Sequence, residues 1–84
     1  MVKKTVTVKH QAGLEARPIA MLVQKASQFS SRVHIEIGSK SINAKSIMGM
    51  MSLSVGNGDK LVVVAEGTDE VAAADEIETY LMAQ

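Results

Sequence analysis

The period at which apolar residues recur changes several times along the chain, and this constrains its fold more than any other feature. Apolar and polar side chains alternate over residues 5–9 and 33–37, which predicts two strands that each have one solvated face. The turn signal Gly38-Ser39 then predicts a short antiparallel return over residues 40–44. Residues 61–65 are apolar without interruption, so we expect this strand to lie in the centre of the sheet.

Helical spacing predicts three helices between and after these strands. Pro18 suits the first turn of the first helix, because its missing N–H would have no partner there. Residues 46–53 predict a second, short helix, and Thr68 or Asp69 can cap a third. The stripes expected to be buried are Ile19, Leu22, Val23 and Ala26 in the first helix and Val71, Ala74, Ile77 and Leu81 in the last. The order β-α-β-β-α-β-α predicts an α+β fold. We expect a two-layer open-faced β-sandwich, with three helices covering one face of a four-stranded antiparallel sheet.

Length and composition exclude several classes of function. The 84 residues suffice for one small domain, 1–84, and for no second one. Nine basic and nine acidic side chains balance, which argues against direct binding of nucleic acid through bulk charge. Cysteine is absent, so disulfides and thiolate zinc sites are excluded, and we expect neither metal nor cofactor. No apolar run approaches about 20 residues. The alternating start MVKKTVTVKH is not a signal peptide, so we expect a cytoplasmic protein without a membrane partner.

The short middle helix is unusually apolar. Helical geometry cannot direct all of its large apolar side chains inward, since a buried stripe covers only part of the circumference. These side chains are Ile47, Met48, Met50, Met51 and Leu53. Two interpretations stay open: an exposed apolar patch for a partner, to which methionine adapts well, or an imperfect stripe that a loop covers.

Ser46 lies where the middle helix begins, and a serine there usually acts only as an N-cap. Phosphorylation would add a charge of about −1.5 to −2 and three acceptor oxygens. Free N–H groups and the positive end of the helix dipole could receive that phosphate without unfolding the helix, and Lys45 could add attraction. Ser46 is therefore a candidate modification site beside the apolar residues.

Two segments carry recognisable motifs, GLEARP at residues 13–18 and NAKSIMGMMSL at residues 43–53. The first resembles the GLHARP or GIHARP signature of the HPr family, the small phosphocarriers of the bacterial sugar phosphotransferase system. The second resembles that family's regulatory-serine segment, and the order of elements matches the family's fold along the whole chain. The chain departs from the family at Glu15, which aligns with the phosphoryl-accepting histidine. We expect its own histidines, His10 and His34, to be solvated strand residues.

With Glu15 at that position, the resemblance narrows to the catabolite-repression HPr-like subgroup, called Crh, which usually has glutamine there. In that subgroup the regulatory serine is phosphorylated by the bifunctional HPr kinase/phosphorylase with ATP. The phosphorylated form binds a LacI-type catabolite control repressor as its corepressor. The resemblance therefore implies a regulatory protein in carbon catabolite repression, not an enzyme, that is modified at Ser46. The contact surface that it implies consists of Arg17, Ile47, Met48 and Met51.

Other roles are compatible with the residues. Carboxylates can act as nucleophiles, so Glu15 could carry phosphoryl as an acyl phosphate, which would make the chain a phosphocarrier of the phosphotransferase system. Glu15 could instead cap the first helix or pair with Arg17, a stabilisation of about 0.3–1 kcal/mol, or be an engineered replacement of histidine. An RNA-binding sheet is set aside, because it would need aromatic side chains on its strands, whereas Phe29 and Tyr80 lie outside the predicted strands. A homodimer that exchanges first strands is left open.

Overall fold

The computed structural model of the protein describes residues 1–10 and 14–82. Within them, the elements follow the order β-α-β-β-α-β-α, as the apolar periods predict. The break of the first strand that the sequence places at residues 11–13 lies outside the described residues. The elements are β1 (Val2–Thr7), α1 (Ala16–Ser27), β2 (Arg32–Ile37), β3 (Lys40–Asn43), α2 (Ile47–Met51), β4 (Lys60–Glu66) and α3 (Glu70–Met82).

The strands form one antiparallel sheet in the order β1-β4-β2-β3. β4 pairs with both β1 and β2, which confirms the central position expected from its apolar run. Val63 of β4 lies opposite Lys4 in β1 and Ile35 in β2, and Ile35 lies opposite Ile42 in β3. Because partners across a ladder share a face and a strand alternates faces, this register directs these four side chains to one side of the sheet.

That side of the sheet carries the helices and encloses the core. α3 lies against β1, β4 and β2, while α2 lies against β3, and α1 packs on α2 and α3. Full burial of a large aliphatic side chain contributes about 1.5–3 kcal/mol through its removal from water. The largest fully buried apolar side chains include Ile19 and Leu22 of α1, Met50 of α2, Ile77 and Leu81 of α3, and Val6, Val33, Ile35 and Val63 of the sheet.

The buried stripe of α3 differs from its prediction at Val71. The sequence places Val71 in the core, whereas its side chain is 61% exposed. The buried residues of α3 are Ala73, Ala74, Ile77 and Leu81. At roughly 100° per residue, Val71 points about 105° away from their mean direction. The prediction was wrong because the small Ala73, not the larger Val71, lies on the side of the helix that faces the sheet.

Asp69 joins the loop before α3 to the loop after α1. The sequence proposes Thr68 or Asp69 as a helix cap, but the Asp69 carboxylate accepts hydrogen bonds from the Ser30 and Ser31 N–H groups, each at 2.9 Å. It also accepts one from the Ser31 hydroxyl. The hydrogen bond from the Ser31 hydroxyl contributes most, and those from the N–H groups contribute less; together they hold the pKa of Asp69 below its ordinary value of 3.8. Ser31 is only 1% exposed, while Asp69 is half-buried and Ser30 is exposed, so the junction lies at the edge of the packed interior.

Candidate functional site

A tight turn leads from β3 into α2 and positions Ser46. The Asn43 side-chain oxygen accepts a hydrogen bond from the Lys45 N–H at 2.9 Å, and the Asn43 carbonyl oxygen accepts one from the Ser46 N–H at 3.0 Å. This is an Asx turn, in which a side chain bonds the backbone two residues onward. The Ala44 N–H donates to the Val33 carbonyl oxygen at 2.8 Å, which ties the turn to the sheet. Asn43 has no role in the sequence-based prediction, although an asparagine shortly before a helix start is the signal for such a turn.

Ser46 is the N-cap of α2, as its place in the sequence predicts. Its backbone is extended, with φ −98° and ψ 111°, and its Oγ accepts a hydrogen bond from the Gly49 N–H at 3.2 Å. Its carbonyl oxygen accepts a hydrogen bond from the Met50 N–H at 2.9 Å. The Oγ atom therefore satisfies one of the N–H groups that a helix leaves unpaired in its first turn. Ser46 as a whole is half-buried.

Three apolar side chains of α2 face solvent: Ile47 is 46% exposed, Met48 83% and Met51 48%. We call these three residues the α2 patch. Met50 is fully buried, and Leu53, just after the helix, packs partly buried against the core. The interpretation in which a loop covers the surplus apolar residues is therefore wrong. Exposed methionines are well suited to surfaces that repack against a partner.

Lys45 precedes Ser46 but directs its charge elsewhere. Its Nζ donates a hydrogen bond to the Phe29 carbonyl oxygen at 2.6 Å, in the segment that follows α1. The Phe29 N–H in turn donates to the Ala26 carbonyl oxygen at 3.2 Å. A cation near the last carbonyls of a helix is favoured by the helix dipole. The sequence expects Lys45 to attract a phosphate on Ser46, whereas the lysine ties the end of α1 to the start of α2.

Glu15 is the N-cap of α1, and its carboxylate makes no capping hydrogen bond. Its backbone is extended, with φ −96° and ψ −172°, and its carbonyl oxygen accepts from the Ile19 N–H at 2.9 Å. Glu15 and Arg17 are both exposed, and the ion pairs of the described residues do not join them. Glu15 therefore occupies the N-cap position, but the side-chain capping bond and the Arg17 ion pair that the sequence left open are not formed among the described residues. The start of α1 presents a carboxylate and a guanidinium to solvent.

Tyr80 of α3 supports the start of α1. Its hydroxyl donates to the Pro18 carbonyl oxygen at 3.0 Å, and the Lys25 ammonium lies 5.6 Å from its ring centroid. Burial raises the pKa of Tyr80 above its ordinary value of 10.0. His10 packs on the same ring at 5.1 Å, and its Nε2 lies 2.8 Å from the Tyr80 carbonyl oxygen. The prediction of a solvated strand histidine is wrong for His10, which follows β1 and bonds the last turn of α3.

The predicted site residues therefore lie at two neighbouring helix starts. Ser46 and the α2 patch lie at α2, while Glu15 directly precedes α1 and Arg17 lies in its first turn. The two helices pack on each other. His34 lies apart from both, on β2, half-buried and opposite Asn43 of β3. Gly49, whose N–H reaches the Ser46 Oγ, has no role in the prediction from sequence, although a glycine inside a helix signals a special packing requirement.

Away from these two helix starts, the described part of the chain has one further feature of note. A shallow cavity of about 340 Å³ lies between the β2–β3 turn and the segment after α2, lined by Ile37, Gly38, Ser39, Lys40, Ser52, Leu53 and Ser54. It contains neither Ser46 nor Glu15. Over residues 1–10 and 14–82, no group of three or more histidine and carboxylate side chains is arranged to hold a metal ion. The helices described lack the length and apolar character needed to cross a bilayer.

Comparison with known proteins gives one consistent family. The family model described as PTS HPr component phosphorylation site matches residues 2–83. The HPr-like protein Crh of Halalkalibacterium halodurans is 46% identical over 81 residues, which are 96% of this chain and 96% of the relative. The phosphocarrier protein HPr of Treponema pallidum is 50% identical over 78 residues, 93% of this chain and 89% of the relative.

Solved structures with the same fold carry both names. The phosphocarrier protein HPr of Bacillus anthracis has a TM-score of 0.91 at 42% identity and covers 95% of both chains. Crh of Bacillus subtilis, described as a swapped, intertwined dimer, has a TM-score of 0.77 at 44% identity, covering 96% of this chain and 93% of its own. Identity values alone therefore do not separate the regulatory subgroup from the phosphocarriers.

Proposed function

Because the chain belongs to the HPr family, we propose that it is a regulatory, Crh-like member whose signal is a phosphate on Ser46. In this proposal the HPr kinase/phosphorylase transfers phosphoryl from ATP to Ser46 in the cytoplasm. The modified chain then binds a LacI-type catabolite control repressor as its corepressor. One observation carries the proposal: the N-cap hydroxyl of Ser46 directly precedes the exposed α2 patch.

Phosphorylation at this position is compatible with α2 as it stands. The Ser46 Oγ would form a bond to the γ-phosphorus while the bond to ADP breaks, and the hydroxyl proton would pass to a base of the kinase. The product would carry a charge of about −1.5 to −2 at neutral pH. Backbone N–H groups of the first turn and the positive end of the helix favour an anion there. The helix would therefore gain charge at its start without losing its apolar patch.

The surface that results combines an anion, a cation and apolar side chains. The phosphate would stand at the start of α2, beside Ile47 and Met48, and Arg17 lies exposed on the neighbouring α1. A repressor that recognises it needs a basic group for the phosphate, an acceptor for the guanidinium and a pocket for methionine. Full burial of the Met48 side chain would contribute about 1.5–3 kcal/mol. Charge and apolar area together would make binding depend on phosphorylation.

Position 15 favours regulation over phosphoryl transfer. By resemblance, the family's carriers use a histidine there, and this chain presents the exposed carboxylate of Glu15. A carboxylate is already negative, so it repels the anionic phosphoryl donor that an imidazole would accept. The proposal therefore includes no phosphoryl transfer through Glu15 and no catalysis by the chain itself.

The test is incubation with HPr kinase and ATP, followed by intact-mass spectrometry and a repressor-binding assay. We expect one phosphate on the wild type and none on Ser46→Ala. Ser52→Ala is the matched control, because Ser52 is the C-cap at the other end of α2 and should leave the modification unchanged. Repressor binding should require the phosphate. A wild-type chain that stays unmodified while a histidine-bearing HPr is labelled in the same reaction would exclude the proposal.

A second candidate is a phosphocarrier, favoured by the 50% identity to the HPr of Treponema pallidum. Glu15 would then form an acyl phosphate, stabilised by the exposed Arg17. Phosphoenolpyruvate and enzyme I should in that case give an adduct that hydroxylamine removes and that Glu15→Gln abolishes. Absence of any such adduct would end this candidate.

The assembly state forms a separate part of the proposal. β1 is an edge strand that pairs only with β4 among the described strands, so two copies could exchange it and keep the same register. The crystal structure of Bacillus subtilis Crh is described as a swapped dimer. Light scattering after size-exclusion chromatography, over a range of concentrations, measures the mass directly. A monomeric mass throughout would reject the homodimer.

A further inference from the structure

Gly49 is a glycine in the interior of α2, where its backbone does not require one. A helical glycine destabilises a helix by about 1 kcal/mol relative to alanine. Among the glycines of residues 14–82, those with positive φ are Gly38, Gly58 and Gly67, so Gly49 has a conformation that other residues adopt freely. The reason for a glycine at this position therefore lies in the side chain that it lacks.

A Cβ atom at position 49 would touch the hydroxyl that the proposed function requires. It would lie 3.3 Å from the Ser46 Oγ and 3.5 Å from the Ser46 Cβ. It would also lie 3.2 Å from the Ile42 Cγ2, on the side of β3. The methyl group of an alanine would thus contact both Ile42 and Ser46 more tightly than an ordinary van der Waals contact, and these neighbours would have to shift to admit it.

We propose that Gly49 is a positioning residue for phosphorylation of Ser46, an inference that rests on the proposed function. Its N–H donates to the Ser46 Oγ at 3.2 Å and so holds the serine side chain in one orientation. Its missing side chain leaves space beside the same oxygen. One residue therefore both directs the nucleophile and keeps its surroundings open.

The chemistry of the transfer explains why that space matters. The Ser46 Oγ must reach the γ-phosphorus in line with the departing ADP, which demands an open approach to the oxygen. After the transfer, the three phosphate oxygens must fit around the new Oγ–P bond. A methyl group 3.3 Å from Oγ takes part of this volume. The methyl group would displace its neighbours by a few tenths of an ångström, and since a misplacement of about 1 Å can lower a rate roughly 100-fold, we expect a smaller loss here.

The experiment compares the rates at which HPr kinase and ATP phosphorylate the wild type, Gly49→Ala and Gly56→Ala. Gly56 is the matched control, since its Cβ would meet only the Asp59 carboxylate oxygen at 3.6 Å, an ordinary contact outside α2. For Gly49→Ala we expect kcat/KM to fall about 3- to 10-fold, mainly through kcat. The midpoint of urea unfolding should fall little or rise, because alanine favours the helix. Gly56→Ala should be phosphorylated at the wild-type rate.

The double variant Ile42→Ala/Gly49→Ala separates crowding from any general effect on folding. Removal of the Ile42 Cγ2 removes the tightest contact of the new methyl group, so that the methyl group and Ser46 can both relax. We therefore expect the double variant to regain most of the rate although it is less stable than Gly49→Ala. Gly49→Ala modified at the wild-type rate, or a double variant as slow as Gly49→Ala, would overturn the role of Gly49. A wild type that is never modified would instead overturn the proposed function.

Discussion

Met48 and Met50 lie two residues apart in α2, and their replacement by alanine should have opposite consequences. Met50 is fully buried, whereas the Met48 side chain is 83% exposed. For Met50→Ala we expect a loss of about 2–5 kcal/mol in the free energy of unfolding, because the deleted atoms leave a cavity among packed residues. For Met48→Ala we expect a change within about 0.5 kcal/mol, since its side chain is already largely in water.

Urea denaturation followed by far-ultraviolet circular dichroism measures both changes. The dependence of the free energy on urea concentration should be the same for both variants, because the surface exposed on unfolding hardly changes. A loss of 2 kcal/mol should lower the thermal midpoint of a domain of this size by roughly 8–16 °C. Equal losses of stability in Met48→Ala and Met50→Ala would refute the orientation of α2.

Repressor affinity should depend on the two residues in the opposite way: Met48→Ala should weaken binding more than Met50→Ala. With Ser46 phosphorylated, Met48→Ala should bind the repressor about fivefold more weakly or worse, which corresponds to about 1 kcal/mol or more at a contact residue. Met50→Ala should bind with nearly wild-type affinity at temperatures where it remains folded. Unchanged binding by Met48→Ala would remove the α2 patch from the proposed interface while leaving the assignment of the core intact.

Three further experiments test the rest of the structure. Gly67→Ala should lower the free energy of unfolding in urea by about 2–4 kcal/mol, because its Cβ would lie 2.6 Å from the Ser31 Oγ at a φ of +152°. Gly38→Ala is the control, with a φ of +57° and open space around its Cβ, and should lower that free energy by only about 1 kcal/mol. Asp69→Asn should be less stable than the wild type at pH 7 and should lose less stability on acidification. The pKa of Asp69 is lowered in the folded state, so its carboxylate stabilises the fold above pH 3.8, and this stabilisation is lost as the pH falls through the folded pKa. Spectrophotometric titration should show Tyr80 ionising above its ordinary 10.0, because burial raises its pKa, and Tyr80→Phe should abolish the signal. Wild-type stability of Gly67→Ala, the same loss of stability on acidification in Asp69→Asn as in the wild type, or a phenol that titrates at its ordinary pKa would contradict these three accounts in turn.

Much of the fold could be predicted because the signals are local. The change from alternating to helical spacing defines each element within a few residues, and the uninterrupted run 61–65 places β4 in the centre of the sheet. Ser46 could be predicted as an N-cap for the same reason, since a capping bond spans only three residues. The Asn43 turn was equally local and could have been found from its spacing to Lys45.

The sequence by itself determined the order of strands and helices along the chain, because periodicity and turn chemistry depend on near neighbours. It also determined that α2 has more large apolar side chains than one buried stripe can hold. Only the tertiary structure decided which way each helix is rotated. Packing against the sheet buries Met50 and Ala73 and leaves Met48 and Val71 in solvent, a choice that spacing alone leaves open. It also directed the Asp69 carboxylate to a loop 38 residues away. Such side chains are placed by contacts between segments distant in sequence, whose geometry exists only once the chain has folded.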